Sequence, residues 1–357
     1  MNYDPAFKPE IFRSSFIILR EKQQMLKDTR LRKIMIRCII CLLLITISFS
    51  GCGEADSGQA AIPSGPGGNS SEQASADSDD EAEPEDSFKP YEAPKFKTSK
   101  FDEEKAEGDS QSKIDLSSIK SGYVGVSVRS DKRIKFQVLM EDNTYNYDVA
   151  SDGTPAIFPL QCGSGTYQFR VMENIKDNQY ACIYQTSRDV ELKDKYQPFL
   201  RPSNYVNYSK KSECVKKAKE LAETQEDALG VVSAIFDYIC KTVKYDEKFA
   251  ANVQSGYLPT PDETMKTGKG ICIDYAALAA AMMRSQGIPT KMVFGYVSPN
   301  DIYHAWNMFY TEETGWVTVS YEVKGGKWNR MDVTFSANGA DSEFIGNGEN
   351  YADVYYY

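Results

Sequence analysis

Gly268-Lys269-Gly270-Ile271-Cys272-Ile273-Asp274-Tyr275-Ala276-Ala277-Leu278-Ala279-Ala280-Ala281-Met282-Met283-Arg284-Ser285-Gln286-Gly287-Ile288-Pro289 decides how the rest of this 357-residue chain is read. From Ile273 to Arg284 the small side chains predict a helix, with Gly287 as its C-terminal cap and Pro289 as a stop. An alanine-rich helix packs closely against its neighbours, so it belongs at the centre of a fold. Cys272 then falls at or just before the helix N-terminus, where unpaired N–H groups and the helix dipole favour a thiolate over a thiol. On position alone a buried, inert cysteine is an equal reading, since free cysteine is among the most buried residue types.

Downstream, Lys291–Val297 reads as a strand, and the sole histidine of the chain, His304, stands at the start of a second strand, Ala305–Tyr310. If the chain performs imidazole chemistry, there is one place for it. A nucleophilic thiolate needs an imidazole as ion-pair partner and later as proton donor to the leaving group. The imidazole needs an acceptor to hold its tautomer and balance its charge. Two positions compete, because Trp316-x-x-x-Ser320 and Trp328-x-x-x-Asp332 share one spacing. Only Asp332 can balance an imidazolium. Gly325-Gly326 is a hairpin signal between them, so the region reads as three antiparallel strands with Asp332 brought alongside His304 by one additional hairpin.

These ordered elements, GKGICIDYAALAAAMMRSQGIPTKMVFGY, then HAWN, then W-x-x-x-DVTF, resemble the core of the transglutaminase-like superfamily over roughly Gly256 to Phe335. The resemblance implies a papain-like order of Cys272 as nucleophile, His304 as base and acid, and Asp332 as orienting carboxylate. It further implies attack on an amide carbonyl of a peptide or protein, cell-wall peptide included, through a thioester resolved by an amine or by water. The Cys272 N–H is a natural oxyanion donor; Tyr257 and Trp306 are candidates for a second donor or for lining the cleft. Tyr296 and Trp328 are expected to pack around the site. The extra hairpin before Asp332 departs from the family pattern. A catalytically silent relative that binds peptide or wall polymer is the alternative.

Upstream, Ser212–Ala222 and Glu226–Val243 carry apolar residues every three or four positions, as core-facing helices do. Before Pro202 the pattern changes to partial alternation in Tyr123–Val128, Arg133–Leu139, Tyr145–Val149 and Tyr167–Val171, which predicts a small β-sandwich over residues 114–200. The fold class expected is therefore α+β: an N-terminal β-sandwich, then over 201–357 a papain-like domain with the nucleophile at a helix N-terminus against an antiparallel sheet. Cys162 and Cys182 lie in the same expected β domain, where a disulfide in an oxidising exterior is the alternative to two free thiols. With one histidine and no close cysteine pair, neither a zinc site nor any other cofactor is expected. The acidic loop Asp341–Glu343 lacks EF-hand spacing.

The first 52 residues read as a targeting segment. Lys27, Arg30, Arg32, Lys33 and Arg37 precede an apolar run Ile39–Phe49, too short to span a bilayer as a helix. Ser50-Gly51-Cys52 resembles the lipobox of bacterial lipoproteins, which implies a lipid on Cys52 and placement on the extracellular face of a cell membrane. Residues 53–113, rich in Gly, Ser, Ala, Pro, Asp and Glu, read as a disordered acidic tether. The formal net charge of −10 argues against a nucleic-acid partner.

Overall fold

The computed structural model describes residues 88–318, 321–339 and 348–357. Cys52, the expected targeting segment, residues 53–87 of the expected tether, Ser320 and Asp341–Glu343 lie outside the described residues. From Glu107 to Val190 the chain forms eight strands: β1 (Glu107–Gly108), β2 (Ser112–Asp115), β3 (Tyr123–Val128), β4 (Ile134–Met140), β5 (Asn143–Val149), β6 (Ala156–Pro159), β7 (Gly165–Lys176) and β8 (Gln179–Val190). They make two four-stranded sheets, ordered β1-β2-β3-β6 and β5-β4-β7-β8, antiparallel throughout. Period-two alternation places Ile134, Phe136 and Val138 of β4 and Tyr167, Phe169 and Val171 of β7 in the core. Phe136 and Tyr147 meet Phe158 of the other sheet at centroid distances of 4.9 and 4.6 Å. Burying each such side chain stabilises by about 1.5–3 kcal/mol. β8 escaped the sequence reading because most of its residues are exposed or half-buried, without a clean alternation.

Residues 88–113 of the expected tether pack on the folded body. Aromatic residues inside the polar segment anchor the chain well before Lys113. The Tyr91 hydroxyl donates to the Gln286 carbonyl at 2.9 Å, Phe96 packs edge-on to Tyr208 at 5.8 Å, and Phe101 covers Gly125, where a Cβ would come within 2.8 Å of its ring. Three aromatic rings in an otherwise polar stretch offset its ordering entropy locally, an effect that averaged composition conceals.

The second half runs α1 (Glu213–Ala222), α2 (Ala228–Thr242), β9 (Lys244–Tyr245), α3 (Glu247–Ala250), α4 (Pro261–Thr267), β10 (Lys269–Gly270), α5 (Cys272–Ser285), β11 (Thr290–Val297), β12 (Ile302–Thr311), β13 (Gly315–Thr318), β14 (Tyr321–Val323), β15 (Lys327–Met331), α6 (Val333–Ala337) and β16 (Tyr351–Tyr356). Asp227 caps α2 by accepting the Gly230 N–H at 2.7 Å, and the helix buries Val231, Val232, Ile235, Phe236 and Ile239. From Asp274 to Ser285 every residue of α5 is buried, so this helix is the centre of the fold. Gly287, at φ +79°, takes the left-handed position, and the Ile288 N–H returns to the Met283 carbonyl at 3.1 Å, a Schellman closure.

A third four-stranded antiparallel sheet, ordered β15-β12-β11-β16, lies against α5. Asn307 of β12 ties the two layers by donating to the Ala276 carbonyl at 2.9 Å. The extra hairpin differs from its expected form. β13 and β14 make a two-stranded sheet of their own, and β15 pairs directly with β12. Gly325-Gly326 is therefore a return point rather than a hairpin turn between partners: the Gly326 N–H bonds to the Thr311 carbonyl at 2.8 Å. A Cβ at Gly325 would collide with the Glu312 carbonyl.

Candidate active site

Cys272 is the first residue of α5 and is 3% exposed. Its position is set by the residues around it. Ile271, at the N-cap, has no side-chain acceptor, so the reciprocal half of a capping box works alone: the Asp274 carboxylate takes the Ile271 N–H at 2.8 Å. The other Asp274 oxygen accepts the Tyr257 hydroxyl at 2.7 Å. Burial pushes the Asp274 carboxyl up, against these two donors, with Asp246 adding to the rise. Gly270 is required here because a Cβ would lie 2.6 Å from that of Asp274.

His304 pairs with Gly295 across β11 and β12. Its ring stacks on Phe335 at 4.3 Å with an interplanar angle of 11°. Nε2 lies 2.8 Å from Asp332 Oδ2, with both side chains fully buried. Burial alone would push the imidazolium toward its neutral form. The Asp332 carboxylate, and after it the Cys272 thiol, outweigh burial and hold the ring's pKa up to about 10. With Nε2 on Asp332, Nδ1 is the nitrogen left to serve Cys272.

Asp332 follows directly on β15. Met331 pairs with Asn307 of β12, so the next residue arrives beside the histidine end of that strand. It is also the N-cap of α6: Oδ1 accepts the Phe335 N–H at 2.9 Å. Oδ2 accepts both His304 and, at 3.0 Å, the hydroxyl of Tyr351. A hydrogen-bonded helix cap orients the carboxylate as firmly as a packed rotamer would.

The structure brings Cys272, His304 and Asp332 together. It gives Tyr257 a different position from an oxyanion donor, because its hydroxyl is taken by Asp274. Trp306 is buried, packed edge-on to Tyr351 at 4.9 Å and under the Arg330 guanidinium at 5.9 Å. Tyr296 stands against Tyr303 at 5.4 Å. Trp328 packs with Phe199 and beneath the Lys291 ammonium, at 5.5 and 4.3 Å. Two residues of the site were not singled out in the sequence. Tyr351 sits in a tyrosine-rich C-terminal run that reads only as an aromatic strand. Tyr245 is carried in by the parallel pairing of β9 with β10, Tyr245 opposite Gly270. Burial, and next the adjacent Cys272, push its phenol well up. A two-residue strand pair leaves no periodic signal, and only the proximity of Tyr245 to the helix start could have flagged it.

The cysteines from Cys162 onward are free thiols, so Cys162 and Cys182 do not pair. Cys240 of α2 lies behind the site, its sulfur 3.9 Å from the Val333 carbonyl. Burial, with Asp237 and Asp332 adding to it, pushes its thiol up to about 12. Among the described residues no three His, Cys, Asp or Glu side chains gather as a metal centre would require.

The sequence profile of the transglutaminase-like superfamily matches residues 215–321. The UPF0252 protein MJ1282 of Methanocaldococcus jannaschii is 27% identical over 144 residues, 36% of this chain and 40% of that protein. The chain thus spans less than half the length of that curated relative. A candidate cysteine protease from Cytophaga hutchinsonii is similar in structure at a TM-score of 0.35 and 17% identity, over 64% of this chain and 73% of that one. Calcium-bound LapG from Legionella pneumophila is similar at 0.27 and 15%, over 40% and 83%. Red sea bream transglutaminase is similar at 0.24 and 13%, over 60% and 48%. Residues 215–321, which carry Cys272 and His304, belong to the transglutaminase-like superfamily.

Proposed function

We propose that this chain is a thiol enzyme acting on peptide or protein amides through a Cys272 thioester. The observation that carries the reading is the 2.8 Å contact between the sole histidine and a fully buried carboxylate, with the cysteine of a helix start as the next group acting on that ring. In the first step the Cys272 sulfur attacks the amide carbonyl carbon while the imidazole holds the thiol proton. The oxyanion that forms is met by the Cys272 N–H, which stands in the first turn of α5 and so has no intrahelical acceptor. Tyr245, a buried phenol beside the same cysteine, supplies the second donor. Collapse breaks the C–N bond, and His304 gives its proton to the departing amine. A second amine or water then attacks the thioester, with His304 taking the proton from the attacking group and returning it to the sulfur. Amine resolution yields a new amide, and water yields a carboxylic acid.

We place this chemistry at the cell envelope, with Cys52 lipidated and residues 53–87 as the spacer, on the strength of the targeting and tether readings alone. Mass spectrometry of envelope peptides incubated with the protein, with and without a primary amine, tests the reading. Amine-dependent mass gains would indicate conjugation, a gain of about 1 Da deamidation, and new termini cleavage. Loss of every product in Cys272→Ala is expected. Products that persist unchanged in Cys272→Ala, or ligand binding without turnover in the unmodified protein, would overturn it.

A further inference from the structure

We propose that Tyr351 of the C-terminal strand is a positioning residue of the site, setting through its hydroxyl how strongly Asp332 holds His304. The inference rests on the reading of Cys272, His304 and Asp332 as a reacting group. Three donors converge on Asp332: the Phe335 N–H on Oδ1, and the His304 ring and Tyr351 O–H together on Oδ2. Because the phenol and the imidazole share one oxygen, each takes part of the charge the other would use.

The placement of Tyr351 is built rather than incidental. Tyr351 lies in strand register with Val297 of β11, its ring edge-on to Trp306 at 4.9 Å. The Arg330 guanidinium covers that ring at 4.8 Å and bonds to Asp353 of the same strand at 2.9 Å. Arg330 is two residues before Asp332, so β15 and the residue that directly follows it hold both the clamp on the phenol and its carboxylate partner. Among the described residues, the charged and titratable groups facing this cluster include Cys272 from α5 with Tyr245 and Tyr303 beside it, Cys240 from α2, Arg330 from β15, and Asp353 with Tyr351 from β16.

Removing the hydroxyl leaves Oδ2 wholly to the imidazolium. The ring then keeps its proton to higher pH and gives it to a leaving group less readily. Because the chain has one histidine, NMR of the imidazole in untagged, histidine-labelled protein reports this directly. Expected is an upward shift of the His304 midpoint by roughly half to one pH unit in Tyr351→Phe, with kcat reduced about tenfold at unchanged KM. Asp332→Asn is expected to move the midpoint the opposite way. Phenylalanine keeps the packing on Trp306 and Arg330, so Tyr351→Phe separates the hydrogen bond from the ring, and Tyr351→Leu measures the ring. A His304 midpoint identical in Tyr351→Phe and the unmodified protein would overturn the positioning role while leaving the site intact. A His304 midpoint near that of a free imidazole, unmoved by Asp332→Asn, would instead overturn the underlying site.

Discussion

His304 Nε2 and Asp332 Oδ2 lie 2.8 Å apart with neither side chain exposed, and this pairing links the site's chemistry to the pH dependence of folding. The folded imidazole titrates at about 10, above its value of about 6.5 in an unfolded chain. A raised base contributes stability that is fully present below the unfolded value and is lost as pH rises through the folded one. The difference in melting temperature between the unmodified protein and Asp332→Asn should therefore be largest near pH 6 and shrink between about pH 6.5 and 10. Removing one partner of a buried pair costs about 3–5 kcal/mol. Activity should fall by a factor on the order of 10² to 10⁴. A melting difference that stays constant across this range would refute the linkage.

Tyr245 stands beside Cys272 through the β9–β10 pairing. If its hydroxyl receives the oxyanion, Tyr245→Phe should lower kcat by roughly 10²–10³. Alkylation of Cys272 by a small electrophile has no oxyanion to stabilise, so its rate should be preserved. Equal losses in turnover and in alkylation would mean that Tyr245 only packs the helix start.

How far the site could be read before folding follows from how far each residue lies from its partners in the chain. The Cys272 helix was legible because its signals are local: small residues, Gly287, Pro289. His304 was legible by elimination. Asp332 required the choice between two Trp-x-x-x-X spacings, made on its carboxylate, and the structure places that carboxylate 2.8 Å from His304 Nε2 by a different path of the chain from the one expected. Gly325-Gly326 does turn the chain, but the Gly326 N–H bonds to the Thr311 carbonyl at the end of β12 and the Gly325 N–H to the Thr314 hydroxyl, not to the preceding strand. Tyr351 was illegible because its partner Asp332 lies 19 residues away, across a segment without strand pattern. The edge β8 and the anchors Tyr91, Phe96 and Phe101 failed for the related reason that long-range contacts, not periodicity, order them.

Tyr257 braces the helix start through Asp274. That carboxyl is already pushed up by burial, with the Tyr257 hydroxyl and the Ile271 N–H pulling against it. Tyr257→Phe removes one of those donors and should raise it further. Asp274 must ionise at neutral pH against this penalty, so the variant should be less stable than the parent by about 1–3 kcal/mol. The deficit depends on pH: it should narrow as pH falls through the carboxylate range, where the side chain is protonated in both states. Urea melts at pH 7.5 and 4 would check this, and a deficit that grew on acidification would refute it.

Arg284, at the C-terminal end of α5, is buried and uses its guanidinium as a three-way tie. It donates to the carbonyls of Thr290, Arg201 and Tyr357 at 2.8, 2.9 and 2.8 Å. Tyr357 in turn exchanges backbone bonds with Met292 of β11 at 2.7 and 2.8 Å, so this one side chain fastens α5 to the strand that carries Tyr351. A lysine keeps the charge but not the planar fork, and it cannot serve three carbonyls at these directions. Arg284→Lys should therefore cost roughly 3 kcal/mol or more, each buried carbonyl left without a donor contributing about 1–3 kcal/mol. Hydrogen exchange separates local from global loss. The amides of Met292 and Tyr357 should lose more protection than those of β4 and β7, because Arg284 bonds directly to the Tyr357 carbonyl, whereas β4 and β7 are held by their pairing with each other. Uniform loss across all strands would mean that Arg284 supports the whole fold rather than the docking of its C-terminal strand.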